Sequence, residues 1–232
     1  DLPAGKAGFE GQIYSKIFNL IKKNEKVIAK AKPKTSKNST GYEIWNVWDG
    51  KNFDLTKLII GSQGTLGIVT ECAFKLIIPK KHQVLLVISL PDLGELDKVV
   101  TRVLELKPEA FECFDDQTLK LALNHTWEIS KNFKSSNRLA AFLNFKNGFE
   151  KIPNLILLAN FTSDSIEEAL KNAQSAKDSL DGLKLTAEIK QTEKDQEKYW
   201  LIRHKSFGLL IKYSKGKKAS PFIDDIIVQP KY

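Results

Sequence analysis

From residue 82 onward, apolar runs of strand length alternate with longer stretches of helical spacing. Gln83–Leu90 is almost wholly apolar and predicts a strand, and Leu93–Lys107 then places Leu96, Val99, Val100, Val103 and Leu104 on one helical face. Ala110–Asp115 predicts a second strand and Asp116–Asn124 a helical turn or more. Residues 125–150 are polar and irregular and read as an insertion. Leu155–Thr162 predicts a strand. A helix follows to about Leu180, with Asp164 as its cap and Glu167 three positions on. Leu183–Lys190 is a strand with alternating apolar positions, Lys194–Tyr213 a helix, and Phe222–Val228 a final strand. This βαβ(α)βαβ order predicts a split pair of βαβ units with an antiparallel sheet covered on one face.

The first 81 residues read differently. Residues 10–30 predict one helix, with Ile13, Ile17, Leu20 and Ile21 on one face and Pro33 stopping it. Residues 35–50 read as loop with a short helix at Tyr42–Trp48. Leu58-Ile59-Ile60 predicts a short buried strand, and Ile68 to Ile78 a second one ended by Pro79. This stretch is too poor in pattern to close a core alone and predicts the tail of a larger domain. The boundary is placed at 79–83.

Composition narrows the function classes. The chain has 232 residues, 42% hydrophobic and 28% charged, as in a globular protein. No apolar run approaches the roughly 18 residues of a membrane span, and nothing resembles a signal peptide. A cytoplasmic location is expected, or a peripheral one for a longer protein. The net charge of +8 invites a nucleic-acid reading, but only Arg102, Arg138 and Arg203 are arginines. Base readout and bidentate phosphate binding favour arginine, so a solvated lysine surface is expected. A lysine-rich module for an acidic partner or nucleic acid is the alternative. Cys72 and Cys113 form no C-x-x-C pair, and His82, His125 and His204 have no metal-ligand spacing. No metal is expected.

Gly61-Ser62-Gln63-Gly64-Thr65-Leu66-Gly67 carries the most information. Three glycines in seven residues are entropically costly unless φ is positive or another group must approach the backbone closely. The spacing is neither a Walker loop nor a Rossmann fingerprint. A tight hairpin with packing glycines and a nucleotide-facing loop are both compatible with it.

Lys37-Asn38-Ser39-Thr40-Gly41-Tyr42, Phe53-Asp54-Leu55 and Gly61 to Glu71 resemble the FAD-linked oxidase family of vanillyl-alcohol-oxidase type, near its D-lactate dehydrogenases and glycolate oxidase flavin subunits. Phe111-Glu112-Cys113-Phe114-Asp115, Trp200 to Phe207 and Phe222 to Val228 are similar to segments of the family's cap domain, in the same order. The resemblance implies an α+β fold: the C-terminal portion of an FAD-binding domain at 1–81 and a ferredoxin-like, antiparallel-sheet substrate cap at 82–232. It implies that Asn38, Gly41, Tyr42, Gly61, Ser62, Gly64, Thr65, Gly67 and Ile68 lie near FAD, with Gln63 replacing the usual glutamate. It implies that Arg203 holds the carboxylate of a small 2-hydroxy acid such as D-lactate or glycolate, which is oxidised by hydride transfer to flavin. On residues alone, Arg203 is equally compatible with an ion pair to a glutamate or aspartate. A second cationic clamp is not expected, since Ile223 stands where some relatives have lysine. A flavin-dependent ether-lipid synthase is a further reading on the same scaffold. The family's pyrophosphate loop and its Gly-His-x-Gly-Asp-Gly-Asn-x-His segment do not occur in the 232 residues. An internal piece of a longer enzyme is therefore expected, inactive alone and weak in FAD binding; the electron acceptor is not specified. The remaining pairs read as bland. Adjacent strand positions face opposite ways, so Asp115-Asp116 and Asp224-Asp225 predict caps or lysine partners. Trp45 and Trp48, three apart, predict packing, with a cover over the flavin loop as the alternative.

Overall fold

An uninterrupted apolar run has no outward-facing position to spare, and Val84 to Ile88 is such a run. It builds β1 (His82–Leu90), whose central residues are all buried. A computed structural model describes residues 8–35, 38, 41–125, 128 and 151–213. These divide into two compact units, one ending at Leu76 and the other beginning at Ile77.

In the second unit β1 is followed by α4 (Leu96–Glu105), β2 (Ala110–Asp115), α5 (Asp116–Asn124), β3 (Leu155–Ser163), α6 (Ile166–Asp178), β4 (Thr186–Lys190) and α7 (Glu193–Tyr213). The strands form one antiparallel sheet in the order β2-β3-β1-β4. Leu86 pairs with Ala159 of β3 and with Ile189 of β4, and Phe114 of β2 pairs with Ile156. The chain thus passes through two split βαβ units, the ferredoxin-like arrangement expected from the element order.

The sheet is covered on both faces rather than one. Val84, Leu86, Ile88, Leu157, Ala159 and Phe161 pack against Val99 and Val103 of α4 and the alanine stripe Ala169, Ala173 and Ala176 of α6. Small residues at that helical spacing let α6 lie close on the sheet. Leu85, Val87, Phe114, Ile156 and Leu158 face the other way, against Leu119 and Leu123 of α5 and Tyr199, Ile202 and Leu209 of α7. Burial of each such Leu or Ile contributes about 1.5–3 kcal/mol. The physical reason for the second layer is β1 itself: strands read as continuous apolar runs when both faces are covered.

The cap of α6 is Ser165, one residue beyond Asp164; its Oγ accepts the Glu168 N–H at 3.4 Å. Asp164 instead accepts from Lys80 Nζ at 2.7 Å, an ion pair that holds its carboxyl below the usual range. Asp115 caps α5 by accepting the Thr118 N–H at 2.8 Å, and Asp116 pairs with Lys120 at 2.5 Å. The two aspartates are therefore the cap and the lysine partner their spacing implies.

The first unit holds α1 (Phe9–Lys23), α2 (Glu25–Ala31), a 3-10 turn (Ile44–Asn46) and α3 (Thr56–Ile59). The single helix expected at 10–30 is two, broken at Asn24, whose side-chain amide donates to the Leu20 carbonyl at 2.8 Å. Trp48 is packing, as its spacing suggests: Phe18 meets its ring edge-on at 5.4 Å and Lys22 Nζ lies 4.6 Å from its centroid. Phe18 and Tyr14 also stack edge-on against Phe53.

Two expected strands do not form. Leu58 and Ile59 lie in the short helix α3, where local i to i+3 bonds from Asp54 and Leu55 close a turn. Residues 68–80 form neither helix nor strand and join no ladder among the described residues, and Ile68 and Ile78 are 94% and 93% exposed. Period-two alternation marks a half-buried strand, and burial requires a neighbour to pair with. The expected strand at Phe222–Val228, the Asp224-Asp225 pair and nearly all of the 125–150 insertion lie outside the described residues. None of the helices among the described residues is long and apolar enough to cross a membrane.

Candidate functional site

The glycine segment folds as a turn after α3, and it is not a hairpin between strands. Gln63 and Gly64 have φ of 50° and 79°, and the Thr65 N–H donates to the Ser62 carbonyl at 3.0 Å. Two successive positive φ values closed by an i to i+3 bond are the signature of a left-handed turn, which favours glycine at the second position. The Thr65 hydroxyl donates to the same Ser62 carbonyl at 2.6 Å. That proton is therefore committed, and the Tyr42 hydroxyl donates to Thr65 Oγ1 at 2.7 Å.

This bond ties the Gly41-Tyr42 segment to the glycine turn across 23 positions of sequence. The approach is close: a Cβ on Gly61 would lie 2.4 Å from the Gly41 carbonyl oxygen, and Gly61 has φ of 76°. Only glycine permits both the conformation and the contact. Ser62 is buried beneath the turn. Gly41, Tyr42, Gly61, Ser62, Gly64 and Thr65 are thus one cluster. Gly67 and Ile68 follow in sequence and are exposed, and Asn38 lies between positions outside the described residues.

The Thr65 hydroxyl is spent on holding the turn together, and the open donors of the turn are those of its backbone. No hydrogen bond among the described residues engages the N–H groups of Gln63, Gly64, Leu66, Gly67 or Ile68. Leu66, Ile68 and Val69 expose apolar surface beside them. Amide donors next to an apolar shelf suit a ligand with anionic or polar edges and a flat apolar body.

In the second unit the arginine finds a partner. Arg203 on α7 directs Nε and Nη2 at Glu112 Oε2 of β2, each at 3.0 Å, and both side chains are 42% exposed. The ion-pair alternative for Arg203 is therefore realised, with Glu112 as the acid. The sequence signal for Glu112 was an acid inside the apolar strand Ala110–Phe114, two residues before the buried Phe114 and so on the same face. Ser206 donates its hydroxyl to the Arg203 carbonyl at 2.9 Å. His204 is exposed and stacks on Trp200.

Neighbouring groups do not compete for chemistry. Partial burial of its sulfur pushes the Cys113 thiol pKa up, and the nearby Arg203 charge opposes this without reversing it. A raised pKa leaves a protonated, unreactive thiol. Burial also pushes the Tyr199 phenol well above its ordinary value and Lys198 below its own. Among the described residues, His, Cys, Asp and Glu form no group of three able to hold a metal.

The chain is 22% identical over 231 residues to D-2-hydroxyglutarate dehydrogenase of Pantoea ananatis, covering 96% of the chain and 22% of that protein. The same enzyme of Escherichia coli is 22% identical over 230 residues, with 96% and 22% covered. A mitochondrial D-lactate dehydrogenase [cytochrome] of Kluyveromyces lactis is 30% identical over 107 residues, 45% of the chain and 16% of the relative. The chain spans about a fifth of the length of the curated hydroxyglutarate relatives it matches throughout. Among solved structures, an alkyldihydroxyacetonephosphate synthase overlays with a TM-score of 0.46 and 19% identity, covering 68% of the chain and 30% of that structure. The model of the C-terminal domain of FAD-linked oxidases matches residues 79–232, about two thirds of the sequence, and the chain belongs to that family.

Proposed function

We propose that the chain is part of an FAD-dependent dehydrogenase of a D-2-hydroxy acid, of the D-lactate, glycolate or D-2-hydroxyglutarate type. In this reading residues 1–81 belong to the flavin-binding part and 82–232 to the substrate cap. The observation that carries it is the glycine cluster: two segments 20 positions apart meet at Gly41 and Gly61, with the Tyr42–Thr65 hydrogen bond beside them, in a family of flavin-linked oxidases.

The residues present suit FAD. The open N–H groups at Gln63, Gly64 and Leu66 supply donors for its polar edges, and the exposed Leu66, Ile68 and Val69 supply apolar surface. At Gly64 a Cβ would meet nothing within 4 Å, and its absence leaves the backbone open to a flat group. FAD, when bound, supplies the hydride acceptor that no side chain can provide.

The chain's own contribution is position. Arg203 carries a planar fork that matches a carboxylate with two parallel hydrogen bonds, and its charge is permanent. A carboxylate so held fixes the adjacent α-carbon, and such positioning is worth several kcal/mol of barrier. The family matches to 2-hydroxy-acid dehydrogenases favour this clamp over the lysine-rich binding module, for which no basic cluster beyond scattered lysines speaks.

The test is kinetic and uses the full-length protein. It should purify with FAD and oxidise D-2-hydroxy acids, and Arg203→Ala should raise KM for the acid by about tenfold or more, the loss of a charged hydrogen-bonding partner being worth ~1.5–3 kcal/mol. Absence of flavin, or an unchanged KM in Arg203→Ala, contradicts the reading.

A further inference from the structure

We infer that Glu112 is the positioning residue that aims Arg203 at the substrate carboxylate; this deepens the clamp of the preceding section and rests on it. A guanidinium has two hydrogen-bonding edges. Glu112 Oε2 occupies the Nε–Nη2 edge, with both contacts at 3.0 Å. The Nη1–Nη2 edge has no partner among the described residues. That edge still offers two parallel N–H groups, the fork a second carboxylate accepts.

The pair is mounted on rigid elements. Glu112 lies opposite Leu158 in the β2–β3 ladder, next but one to buried Phe114. Arg203 follows Ile202, whose side chain is fully buried in the core under α7. Both charged side chains nevertheless stay 42% exposed, so a solute reaches them. A half-exposed ion pair adds little to folding stability. Its effect is to hold a long, flexible cation in one plane before the substrate arrives, so that binding loses less side-chain freedom. Arg203 is therefore not consumed by its salt bridge: one edge is held and the other is presented.

The experiment compares Glu112→Ala, Glu112→Gln, Arg203→Ala and the double variant in the full-length, FAD-loaded enzyme. Two readouts are used: KM and kcat for a D-2-hydroxy acid, and the Kd of oxalate from perturbation of the flavin spectrum. Glu112→Ala should raise KM and the oxalate Kd about three- to tenfold, the range for ordering one long side chain, with the loss falling mainly on KM. Glu112→Gln keeps an acceptor oxygen and should stay within about twofold of the parent. In the Arg203→Ala background, Glu112→Ala should add nothing further.

An unchanged or lowered KM in Glu112→Ala overturns the inference; a lowered one marks Glu112 as a competitor for the clamp. An effect that persists undiminished without Arg203 also overturns it, since a merely structural role acts independently of the arginine. If Glu112→Ala does not fold, Glu112→Asp replaces it: the shorter acid retracts the acceptor and should raise KM by a smaller factor, and no rise overturns the inference. Arg203→Ala leaving KM unchanged sinks the clamp itself, an outcome separate from failure at Glu112 alone.

Discussion

Gly61 and Gly64 look equivalent in sequence, but their surroundings separate them. Both have positive φ, yet a Cβ on Gly61 meets the Gly41 carbonyl at 2.4 Å while one on Gly64 meets nothing within 4 Å. Gly64→Ala should cost about 1–2 kcal/mol, the penalty for a left-handed L-residue. Gly61→Ala should cost more, because the Gly41 segment must also move, and it should weaken FAD retention in the full-length protein. Denaturation midpoints and flavin content of the two variants check the ranking. Asp49 offers a test by pH. Its carboxylate accepts the Lys51 and Asn52 N–H groups at 2.7 and 2.6 Å, and these bonds, those to Asn52 foremost, lower its pKa to about 2. The folded pKa lies below the ordinary 3.8, so the stabilisation is present above pH 3.8 and is lost as the pH falls toward 2. An NMR titration should give a midpoint near 2, and Asp49→Ala should remove this part of the acid sensitivity. A midpoint near 3.8 would contradict it.

At the scale of elements, α7 is fastened by Gln196. The residue is 1% exposed, and its Nε2 donates to the Lys190 carbonyl at 3.0 Å and to the Gln83 carbonyl at 3.3 Å. One amide thus ties α7 to β1 and β4. Gln196→Ala should destabilise the second unit by roughly 2–4 kcal/mol, from the cavity and the orphaned carbonyls together, measured as a shift in denaturant midpoint. The ferredoxin-like half was legible because its signals are local: the apolar run of β1, the 3.6 spacing of α4 and the alternation of β4 each specify one element. What the sequence hid was relational. The unbroken run Val84–Ile88 carries the signal for the second helical layer that the one-face expectation missed, and no pattern says which helix covers which face. Ile68 to Ile78 alternates like a strand and finds nothing to pair with among the described residues. Leu58-Ile59-Ile60 was too short for its period to separate helix from strand. Arg203 stood out by rarity, whereas its partner Glu112, 91 positions away, shows only once β2 and α7 lie together.

For the whole molecule, the motifs, the fold and the family agree, while the net charge of +8 contributes little to the reading. The glycine cluster belongs to the first unit and the Arg203–Glu112 pair to the second, and each supplies one component of the same proposed chemistry. The most direct test is anaerobic mixing of the full-length, FAD-loaded protein with D- and L-enantiomers of lactate and 2-hydroxyglutarate while flavin absorbance is followed. The account predicts bleaching by a D-2-hydroxy acid and not by its L-enantiomer, with bleaching by low concentrations of the acid lost in Arg203→Ala. A flavin that none of these acids reduces, or one reduced equally well in Arg203→Ala at every concentration, would contradict it.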